Sequence, residues 1–405
     1  MPSVRLALAA LLPAVCSAYV PLAPPSGLAP ARTAVRMGTA PLAVLRQRET
    51  EEQPVEQQLY DRAEAPKVAG GLVVGTKRIV VITGASSGLG LSATRALISQ
   101  GGYFIVAAVR DTKKMDALAK EMGLSRADYV AMKLELASLR SVKDFVRNLK
   151  LFLPARPINH LICNAAVYRP TDPEPQWTDD GFEMSLGVNH LGHFLLVQLL
   201  LPELSRARNA RCTVVGSVTG NSNTIAGSFV KPVAEVGSLE GLRAGGGRVT
   251  AMAADPSEAF DGAKAYKDAK ALNMMTVLEM HRRFHEKSGV VFNSIYPGCI
   301  ADTNLFREKR QWFREAFPVL MKGVGAYVSE EEAGERLAQV IYDPACASKS
   351  GVYWSWNGNA KKFGTGNAGG AGGQIFENEF SGMISDEARG KLMYDYSMRA
   401  VEAYL

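Results

Sequence analysis

From Lys77 onward the chain alternates short apolar runs with segments of helical periodicity, and this alternation constrains the fold more than any other feature. The runs are too short for helices and are bounded by turn residues, which is typical of strands buried on both faces. They lie at 78–84, 102–109, 128–134, 158–164, 211–217, 290–296 and 351–356. Helical segments between them allow crossovers to parallel neighbours. The predicted fold is α/β, a doubly wound, seven-stranded parallel sheet with helices on both faces.

Composition supports a single folded domain over residues 77–405. The chain has 405 residues, of which 47% are hydrophobic and 21% charged, which is enough apolar material for one large core. Its five cysteines are odd in number and widely scattered, so they do not suggest a disulfide framework. The formal charge is +6, but five arginines lie in residues 1–48, which hold no acid. The basicity belongs mainly to the N-terminus, and no nucleic-acid partner is expected.

The first 76 residues are predicted to be two targeting signals and a linker. Arg5 precedes the apolar run "LALAALLPAV", and small residues after it complete the pattern of a signal peptide over 1–18. Residues 19–48 contain Pro, Ala, Ser, Thr and Arg but no acid, which is transit-peptide composition. Residues 49–76 are predicted to be a flexible linker. The bipartite leader resembles the import leader of algae with complex plastids; the alternative is a secreted protein with a disordered N-terminus.

A glycine-rich turn follows the first predicted strand. "TGASSGLG", 83–90, places glycines where the backbone turns tightly, approaches a pyrophosphate and packs a helix on the sheet, while the helix N-terminus faces the phosphates. Glycine-rich turns also occur as plain connections, but the position between strand and helix favours a Rossmann-type dinucleotide site. The candidate cofactor-binding residues of the turn are Gly84, Ser86, Ser87, Gly88, Leu89 and Gly90.

The end of the second strand indicates which dinucleotide binds. An acidic residue there would bind the free ribose hydroxyl, whereas a cation accommodates a 2′-phosphate. The sequence offers Arg110 and, one helical turn later, Lys114. The alternative, a solvated helix face with Asp111 as its N-cap, accounts for Asp111 and Lys113 but not for Arg110. NADPH is therefore the expected cofactor.

Four polar residues form a candidate catalytic set. Tyr266 and Lys270 are four residues apart on a helical pattern, so their side chains share one face. An ammonium beside a phenol lowers the pKa of the phenol and eases proton exchange with a substrate. This spacing is common by chance, and it gains meaning from Ser217 at a strand end and Asn189 inside a long helix. Because ligands bind beyond the carboxyl ends of parallel strands, the four side chains are expected to converge.

Together these residues resemble the short-chain dehydrogenase/reductase family. The resemblance rests on "TGASSGLG", on "CNAA" at 163–166 and on the four polar residues, in this order along the chain. It implies that Tyr266 is the proton donor or acceptor and that Lys270 holds the nicotinamide ribose. Ser217 then positions the substrate oxygen, and Asn189 supports a proton relay. The further cofactor contacts assigned on this resemblance are Asn164, Ala165 and Pro297.

Other stretches resemble the light-dependent protochlorophyllide oxidoreductases within that family. Ser217 and Tyr266 are 49 positions apart, and the insert 218–262 is a long loop of the kind that is usually functional or disordered. The insert, "YPGCIADTNLFRE", "AYVSEEEAG" and "GVYWSWNGN" carry the resemblance over 77–360. It implies light-driven reduction of the ring D C17=C18 double bond of protochlorophyllide, a magnesium tetrapyrrole, with hydride from NADPH and a proton from Tyr266.

The same resemblance assigns a pigment site. Cys299 is implied to bind the pigment or to deliver a proton; the alternative is a buried small apolar side chain, the commonest state of a free cysteine. Residues 300–328 fit a lid over a large flat ligand. Aromatic side chains at such spacings are more often core residues. The candidates for substrate binding beside the cysteine are Tyr296, Trp312, Phe313, Phe317 and Tyr327.

Several features depart from the resembled family. A second family cysteine is absent, since "AL" occupies 271–272, and Glu135 stands where an aspartate usually contacts adenine. The glycine-rich stretch 363–375 has no expected counterpart and is predicted to be a flexible loop. The five histidines form no credible ligand set, so no metal site is predicted.

Two other functions compete with pigment reduction. A light-independent NADPH-dependent reductase of retinal-like carbonyls would use the same catalytic residues, but the insert 218–262 and the segment around Cys299 count against it. A non-catalytic scaffold that binds NADPH and pigment would be expected to lose Tyr266 or Lys270, and both are present. The resemblance further implies a plastid location, peripheral association with the thylakoid membrane and a homo-oligomer.

Overall fold

The computed structural model describes residues 74–248, 252–301, 303, 305, 311–358 and 369–405. The predicted leader and most of the linker lie outside these residues, as do parts of the predicted insert, lid and glycine-rich loop. Within the described residues, eight strands form one sheet. The strands are β1 (Arg78–Thr83), β2 (Tyr103–Val109), β3 (Tyr129–Lys133), β4 (His160–Cys163), β5 (Arg211–Val215), β6 (Val291–Ile295), β7 (Val352–Trp356) and β8 (Ile375–Asn378).

The sheet has the order β3-β2-β1-β4-β5-β6-β7-β8, and its first seven strands along the chain are parallel. The seven predicted strands are confirmed, but an eighth, antiparallel strand was missed. β8 reads "IFEN", a short and half-polar stretch that begins at the last residue of the predicted glycine-rich loop. Its pairing with the edge of β7 makes it a strand, and such tertiary pairing overrides weak local preference.

The helices that cover the sheet lie on both faces, as predicted. One core lies between the sheet and α3, α4, α7 and α12, and a second lies between the sheet and α1, α2 and α10. The helices of the described residues are α1 (Gly88–Gln100), α2 (Thr112–Glu121), α3 (Leu139–Phe152), α4 (Gly192–Ser205), α5 (Ile225–Phe229), α6 (Glu240–Ala244), α7 (Gly262–Met280), α8 (Glu286–Ser288), α9 (Gln311–Val324), α10 (Glu330–Tyr342), α11 (Gly382–Ser385) and α12 (Glu387–Val401), with π-helical turns at Leu186–Leu191 and His281–His285 and 3-10 turns at Val218–Gly220, Pro344–Cys346 and Glu402–Tyr404.

The predicted insert is partly helical, because its described residues include the first 3-10 turn, α5 and α6. Charged side chains of α7 hold it. The Nζ of Lys267 donates to the carbonyls of Val230 at 2.7 Å and Pro232 at 2.6 Å, and Oδ1 of Asp268 accepts from the N–H of Glu235 at 2.9 Å. Lys267 and Asp268 are buried, so these hydrogen bonds satisfy charges that burial would otherwise destabilise. The helix that carries Tyr266 therefore also anchors the insert.

Three further findings concern the described residues alone. None of their helices has the length and apolar composition needed to cross a bilayer. They hold no cluster of three His, Cys, Asp or Glu side chains suited to a metal ion. The cysteines among them form no disulfide; they are Cys163, Cys212, Cys299 and Cys346.

Candidate active site

The predicted site residues lie at the carboxyl ends of the parallel strands. The strand order reverses between β1 and β4, which places a crevice at that edge of the sheet. The glycine-rich turn follows β1, Arg110 follows β2, Asn164 follows β4 and Ser217 follows β5. Three strand spacings separate β2 from β5, or about 14 Å, so the site is long enough for an extended dinucleotide.

The glycine-rich turn has the geometry of a pyrophosphate cradle. Gly84 and Gly88 have φ values of 70° and 52°, in the left-handed region that favours glycine. A Cβ on Gly90 would lie 2.4 Å from the carbonyl oxygen of Gly84 and 2.5 Å from Nδ2 of Asn164. Ser87, the N-cap residue of α1, makes no side-chain capping bond, and the first turn of α1 holds no acid. The N–H groups of that turn are therefore suited to an anion.

A hydrogen-bonded network locks the "CNAA" segment to the end of β1. The side chain of Asn164 donates to the carbonyl of Thr83 at 2.9 Å, and the N–H groups of Asn164 and Ala165 donate to its hydroxyl at 2.9 and 3.0 Å. Nδ1 of His193 donates to the carbonyl of Asn189 at 3.1 Å, so its Nε2, 2.9 Å from the Thr83 hydroxyl, is the acceptor. Burial lowers the pKa of His193 to about 4, which keeps the ring neutral. Thr83 and His193 were not predicted.

The residues expected at a 2′-phosphate are exposed cations. Arg110 and Lys114 lie at the end of β2 and in the first turn of α2, and neither makes an ion pair with another described residue. The carboxylate of Asp111 accepts from the N–H of Lys114 at 2.9 Å, so this aspartate is the N-cap of α2, as one alternative predicted. The carboxylate of Glu135 accepts from the N–H of Ala137 at 3.1 Å and is engaged in a turn. The two free cations fit a phosphorylated ribose.

Tyr266, Lys270 and Ser217 come together as predicted. Tyr266 and Lys270 are 8% and 2% exposed, and Nζ of Lys270 lies 5.9 Å from the centre of the Tyr266 ring. The same Nζ donates to the carbonyl of Val215 at 2.7 Å. Ser217 makes a hydrogen bond with Tyr266 that favours the phenolate, and its Oγ accepts from the N–H of Thr219 at 3.2 Å. A turn after β5 therefore fixes the serine against the tyrosine.

The pKa of Tyr266 is raised, whereas the sequence led us to expect that the ammonium of Lys270 would lower it. Burial raises it further above the usual 10, the neighbouring Tyr168 raises it too, and the Ser217 hydrogen bond lowers it only in part. Burial also lowers the pKa of Lys270 to about 8. Tyr266 is consequently a neutral phenol at physiological pH, in the protonation state of a proton donor.

Asn189 is fully buried in the π-helical turn before α4. Its Oδ1 accepts from the N–H of Val167 at 2.8 Å, and its Nδ2 donates to the carbonyl of Val167 at 3.0 Å. π-helical turns inside α-helices often mark functional sites. The amide holds the segment after β4 in place; the proton relay through Asn189 stays a prediction.

A second tyrosine that was not predicted packs on Tyr266. The ring centres of Tyr168 and Tyr266 are 4.7 Å apart, with the planes inclined by 52°. Burial, with a smaller effect of Asp261, raises the pKa of Tyr168 to about 12. Tyr168 follows directly on "CNAAV", and that position was the available sequence signal for it.

The residues 296–299, called here the Cys299 turn, lie next to Tyr266. Tyr296 is half-buried. Burial is the main cause that raises its pKa, and Cys299 and Tyr266 raise it further. Gly298 has a φ of 123°, and a Cβ there would lie 2.4 Å from Cγ2 of Val328. Cys299 is partly exposed, whereas the other described cysteines are buried. It is therefore not the fully buried apolar filler of the alternative interpretation.

The other predicted substrate residues lie around this turn or on α9. Tyr327 forms an isolated parallel bridge with Cys299, and Nζ of Lys322 lies 4.5 Å from the centre of the Tyr327 ring. Phe317 is half-buried on α9. Trp312 and Phe313 also belong to α9, but their side chains lie outside the described part of the structure. Buried Pro297 accepts a hydrogen bond through its carbonyl from Arg336 at 2.8 Å, and Arg336 was not predicted.

The doubly wound sheet, the phosphate cradle and the serine, tyrosine and lysine set define an oxidoreductase of the nicotinamide-dependent class. Comparison with known proteins agrees. The family model for short chain dehydrogenase matches residues 78–229. The levodione reductase structure shares the fold, with a TM-score of 0.50 at 17% identity, covering 69% of this chain and 95% of that one.

Similarity to curated proteins is higher. The chain is 46% identical over 349 residues to "Protochlorophyllide reductase, chloroplastic" of Chlamydomonas reinhardtii, covering 85% of this chain and 82% of that protein. It is 48% identical over 328 residues to "Protochlorophyllide reductase A, chloroplastic" of Oryza sativa subsp. japonica, covering 80% of each. The chain belongs to the protochlorophyllide reductase family of short-chain dehydrogenases.

Proposed function

We propose that this protein uses NADPH and light to reduce the ring D C17=C18 double bond of protochlorophyllide, yielding chlorophyllide for chlorophyll synthesis. The relation of Tyr296 to its neighbours carries the proposal. Burial raises the pKa of Tyr296, and Cys299 and Tyr266 raise it further, which supports a site shared by the candidate proton donor and the cysteine. The names of relatives that are 46% and 48% identical support the substrate.

The residues present fit NADPH. Arg110 and Lys114 make no ion pair within the described residues and would suit a 2′-phosphate, and the uncapped N-terminus of α1 suits the pyrophosphate. The close approach of Gly90 to Gly84 leaves no room for a side chain, which is what a phosphate cradle requires. In this proposal Lys270 holds the nicotinamide ribose. When bound, NADPH supplies the hydride.

The chain's own chemical task is proton delivery. Tyr266 is a neutral phenol, and its Oη donates a proton to the carbon next to the one that receives hydride. The phenolate that forms is stabilised by the Ser217 hydroxyl and by the nearby ammonium of Lys270. A conjugated double bond accepts hydride poorly in its ground state, so the absorbed photon activates the pigment. The protein holds the reacting groups in alignment and excludes water.

Absorbance of the purified full chain tests this function. The protein is mixed with NADPH and protochlorophyllide in the dark and then illuminated briefly. We expect a red-shifted chlorophyllide band after light and none in a matched dark sample. Bound pigment without conversion would indicate a non-catalytic scaffold. Dark oxidation of NADPH by aldehydes or ketones, without pigment binding, would indicate a carbonyl reductase.

We also propose a plastid location, with the protein bound peripherally to thylakoid membrane as a homo-oligomer. The chloroplastic names of the relatives and the composition of residues 1–48 support the location. A fluorescent fusion of the full chain, compared with a fusion that lacks residues 1–48, is expected to enter plastids only when the leader is present. Flotation of the protein with galactolipid vesicles tests the membrane association. Light scattering of the protein as it elutes from a size-exclusion column tests oligomer formation.

A further inference from the structure

Arg336 is a buried cation whose hydrogen bonds join three parts of the chain. It lies on α10 and is 4% exposed. Its Nη1 donates to the carbonyl of Pro297 at 2.8 Å. Its Nη2 donates to the carboxylate of Glu332 at 2.7 Å and to the carbonyls of Gly370 at 2.9 Å and Gly372 at 2.8 Å. A buried guanidinium satisfied by carbonyls fixes their positions, because losing a partner leaves charge uncompensated.

Glu332 completes this arrangement. Its Oε1 accepts from Nη2 of Arg336 and also from the N–H of Gly372 at 2.6 Å. Glu332 therefore binds the N–H of Gly372, and Arg336 binds the carbonyl of the same residue. We call residues 369–374 the glycine segment; they are the part of the predicted glycine-rich loop that the structure describes before β8, and this loop has no expected counterpart in the resembled family.

The glycines of this segment are needed for close packing. A Cβ on Gly370 would lie 2.0 Å from the carbonyl oxygen of Gly325, and one on Gly369 would lie 2.4 Å from that of Asn357. A Cβ on Gly373 would lie 2.3 Å from the backbone nitrogen of Gly358. Contacts this short are not available to any residue with a side chain. The glycine-rich composition led to the prediction of a flexible loop. In the described residues it instead allows close packing of the segment against the backbone of other parts of the chain.

Hydrogen bonds connect the glycine segment to the Cys299 turn. The N–H of Ala371 donates to the carbonyl of Tyr327 at 3.1 Å, and the N–H of Val328 donates to the carbonyl of Cys299 at 3.0 Å. A Cβ on Gly298 would lie 3.0 Å from Nη1 of Arg336, so the guanidinium rests directly on the turn. The glycine segment, residues 325–328 and the turn are thus adjacent layers.

We propose that Arg336 and Glu332 fasten the glycine segment behind the Cys299 turn, so that this segment is a wall of the pigment site and Arg336 is its positioning residue. The inference rests on the proposed function for the identity of the ligand, but the position of Cys299 is testable without it. Loss of the Arg336–Glu332 pair releases the turn, exposes the Cys299 thiol and weakens pigment binding more than NADPH binding.

The test compares Glu332→Ala with Glu331→Ala in the full chain. Both residues lie in the first turn of α10, but the side chain of Glu331 is exposed, so it is a matched control. The first readout is the rate at which iodoacetamide alkylates Cys299, followed by mass spectrometry of its peptide. We expect a several-fold increase in Glu332→Ala and in Arg336→Lys, and the wild-type rate in Glu331→Ala.

The second readout separates positioning from loss of fold. In Glu332→Ala we expect the KM for protochlorophyllide to rise about tenfold and the bound pigment band to shift, with a clearly smaller loss of NADPH affinity, because Pro297 of the turn is also a candidate cofactor contact. Equal alkylation rates in Glu332→Ala and Glu331→Ala would overturn the proposal, as would equal losses of pigment and NADPH affinity. If the wild type fails to convert the pigment, the proposed function fails, and the alkylation rates still decide whether the pair holds the turn.

Discussion

The side-chain amide of Asn189 is bonded at both ends to the backbone of Val167, with Oδ1 accepting at 2.8 Å and Nδ2 donating at 3.0 Å. Tyr168 is the next residue, and its ring lies 4.7 Å from that of Tyr266. One buried amide of the π-helical turn therefore determines the position of a tyrosine that contacts the proposed proton donor. This relationship gives Asn189 a role that does not depend on its carrying a proton.

Asn189→Ala should reduce both stability and activity. The change leaves the N–H and carbonyl of Val167 unpaired, which costs about 2–4 kcal/mol in the free energy of unfolding. The displaced Tyr168 should lower kcat at least tenfold. Denaturant unfolding and single-turnover illumination measure the two effects. Asn148→Ala, at an exposed position on α3, is the control. Full activity in Asn189→Ala would show that Val167 holds its position unaided.

Tyr266→Phe should abolish proton delivery without abolishing binding. Loss of a general acid costs about 10²- to 10⁴-fold in rate. We expect pigment and NADPH affinities close to those of the wild type, because the ring remains packed on Tyr168. The yield of chlorophyllide per flash measures the effect, and Tyr396→Phe on α12 is the control. A yield within threefold of the wild type would assign the proton to another donor.

The rate should fall as the pH rises through about 8. Burial lowers the pKa of Lys270 to about 8, so its ammonium is lost well below the pH at which a free lysine deprotonates. Without that charge the phenolate of Tyr266 is less stabilised, and proton delivery slows. The pH dependence of kcat from 6 to 10 is the measurement. Lys270→Met should be slow, and its rate should not fall with rising pH. A wild-type rate that stays unchanged up to pH 9.5 would contradict the assignment.

Arg110→Glu should weaken NADPH binding selectively. A hydrogen bond to a charged group contributes about 1.5–3 kcal/mol, which corresponds to about 10- to 100-fold in affinity. We expect the KM for NADPH to rise by this factor while the KM for NADH changes little. Lys113→Glu, on the exposed face of α2, is the matched control. Equal losses for the two nucleotides would mean that Arg110 does not contact the 2′-phosphate.

Glu183→Gln should stabilise the protein above neutral pH. Burial raises the pKa of Glu183 from 4.5 to about 7, so the folded state binds this proton more tightly than the unfolded state. The resulting stabilisation is present below pH 4.5 and is lost as the pH rises toward 7. The glutamine keeps an acceptor for the N–H of Leu186, which Glu183 now binds at 2.9 Å. At pH 8 we expect the variant to be more stable by about 2–3 kcal/mol, with no difference near pH 4. Denaturant titrations at both pH values decide.

The sequence by itself determined the seven parallel strands, the helices on both faces of the sheet and the order of the site residues along the chain. Buried parallel strands require continuous apolar runs, and those runs located β1 to β7. The glycine-rich turn and the strand-end position of Ser217 follow from the topology, because all parallel strands end at the same edge. The spacing of Tyr266 and Lys270 fixed their shared face on α7. The family assignment is confirmed by the relatives.

Only the tertiary structure decided the properties that depend on burial and on distant neighbours. The pKa of Tyr266 rises because desolvation, with a further rise from Tyr168, outweighs the lowering by the Ser217 hydrogen bond, and burial is not encoded in a four-residue spacing. No local sequence pattern singled out Arg336, yet it contacts residues 34 and 36 positions away. β8 became a strand through its partner β7. These features arise from contacts between residues far apart in the chain, whereas local pattern reports only on neighbours.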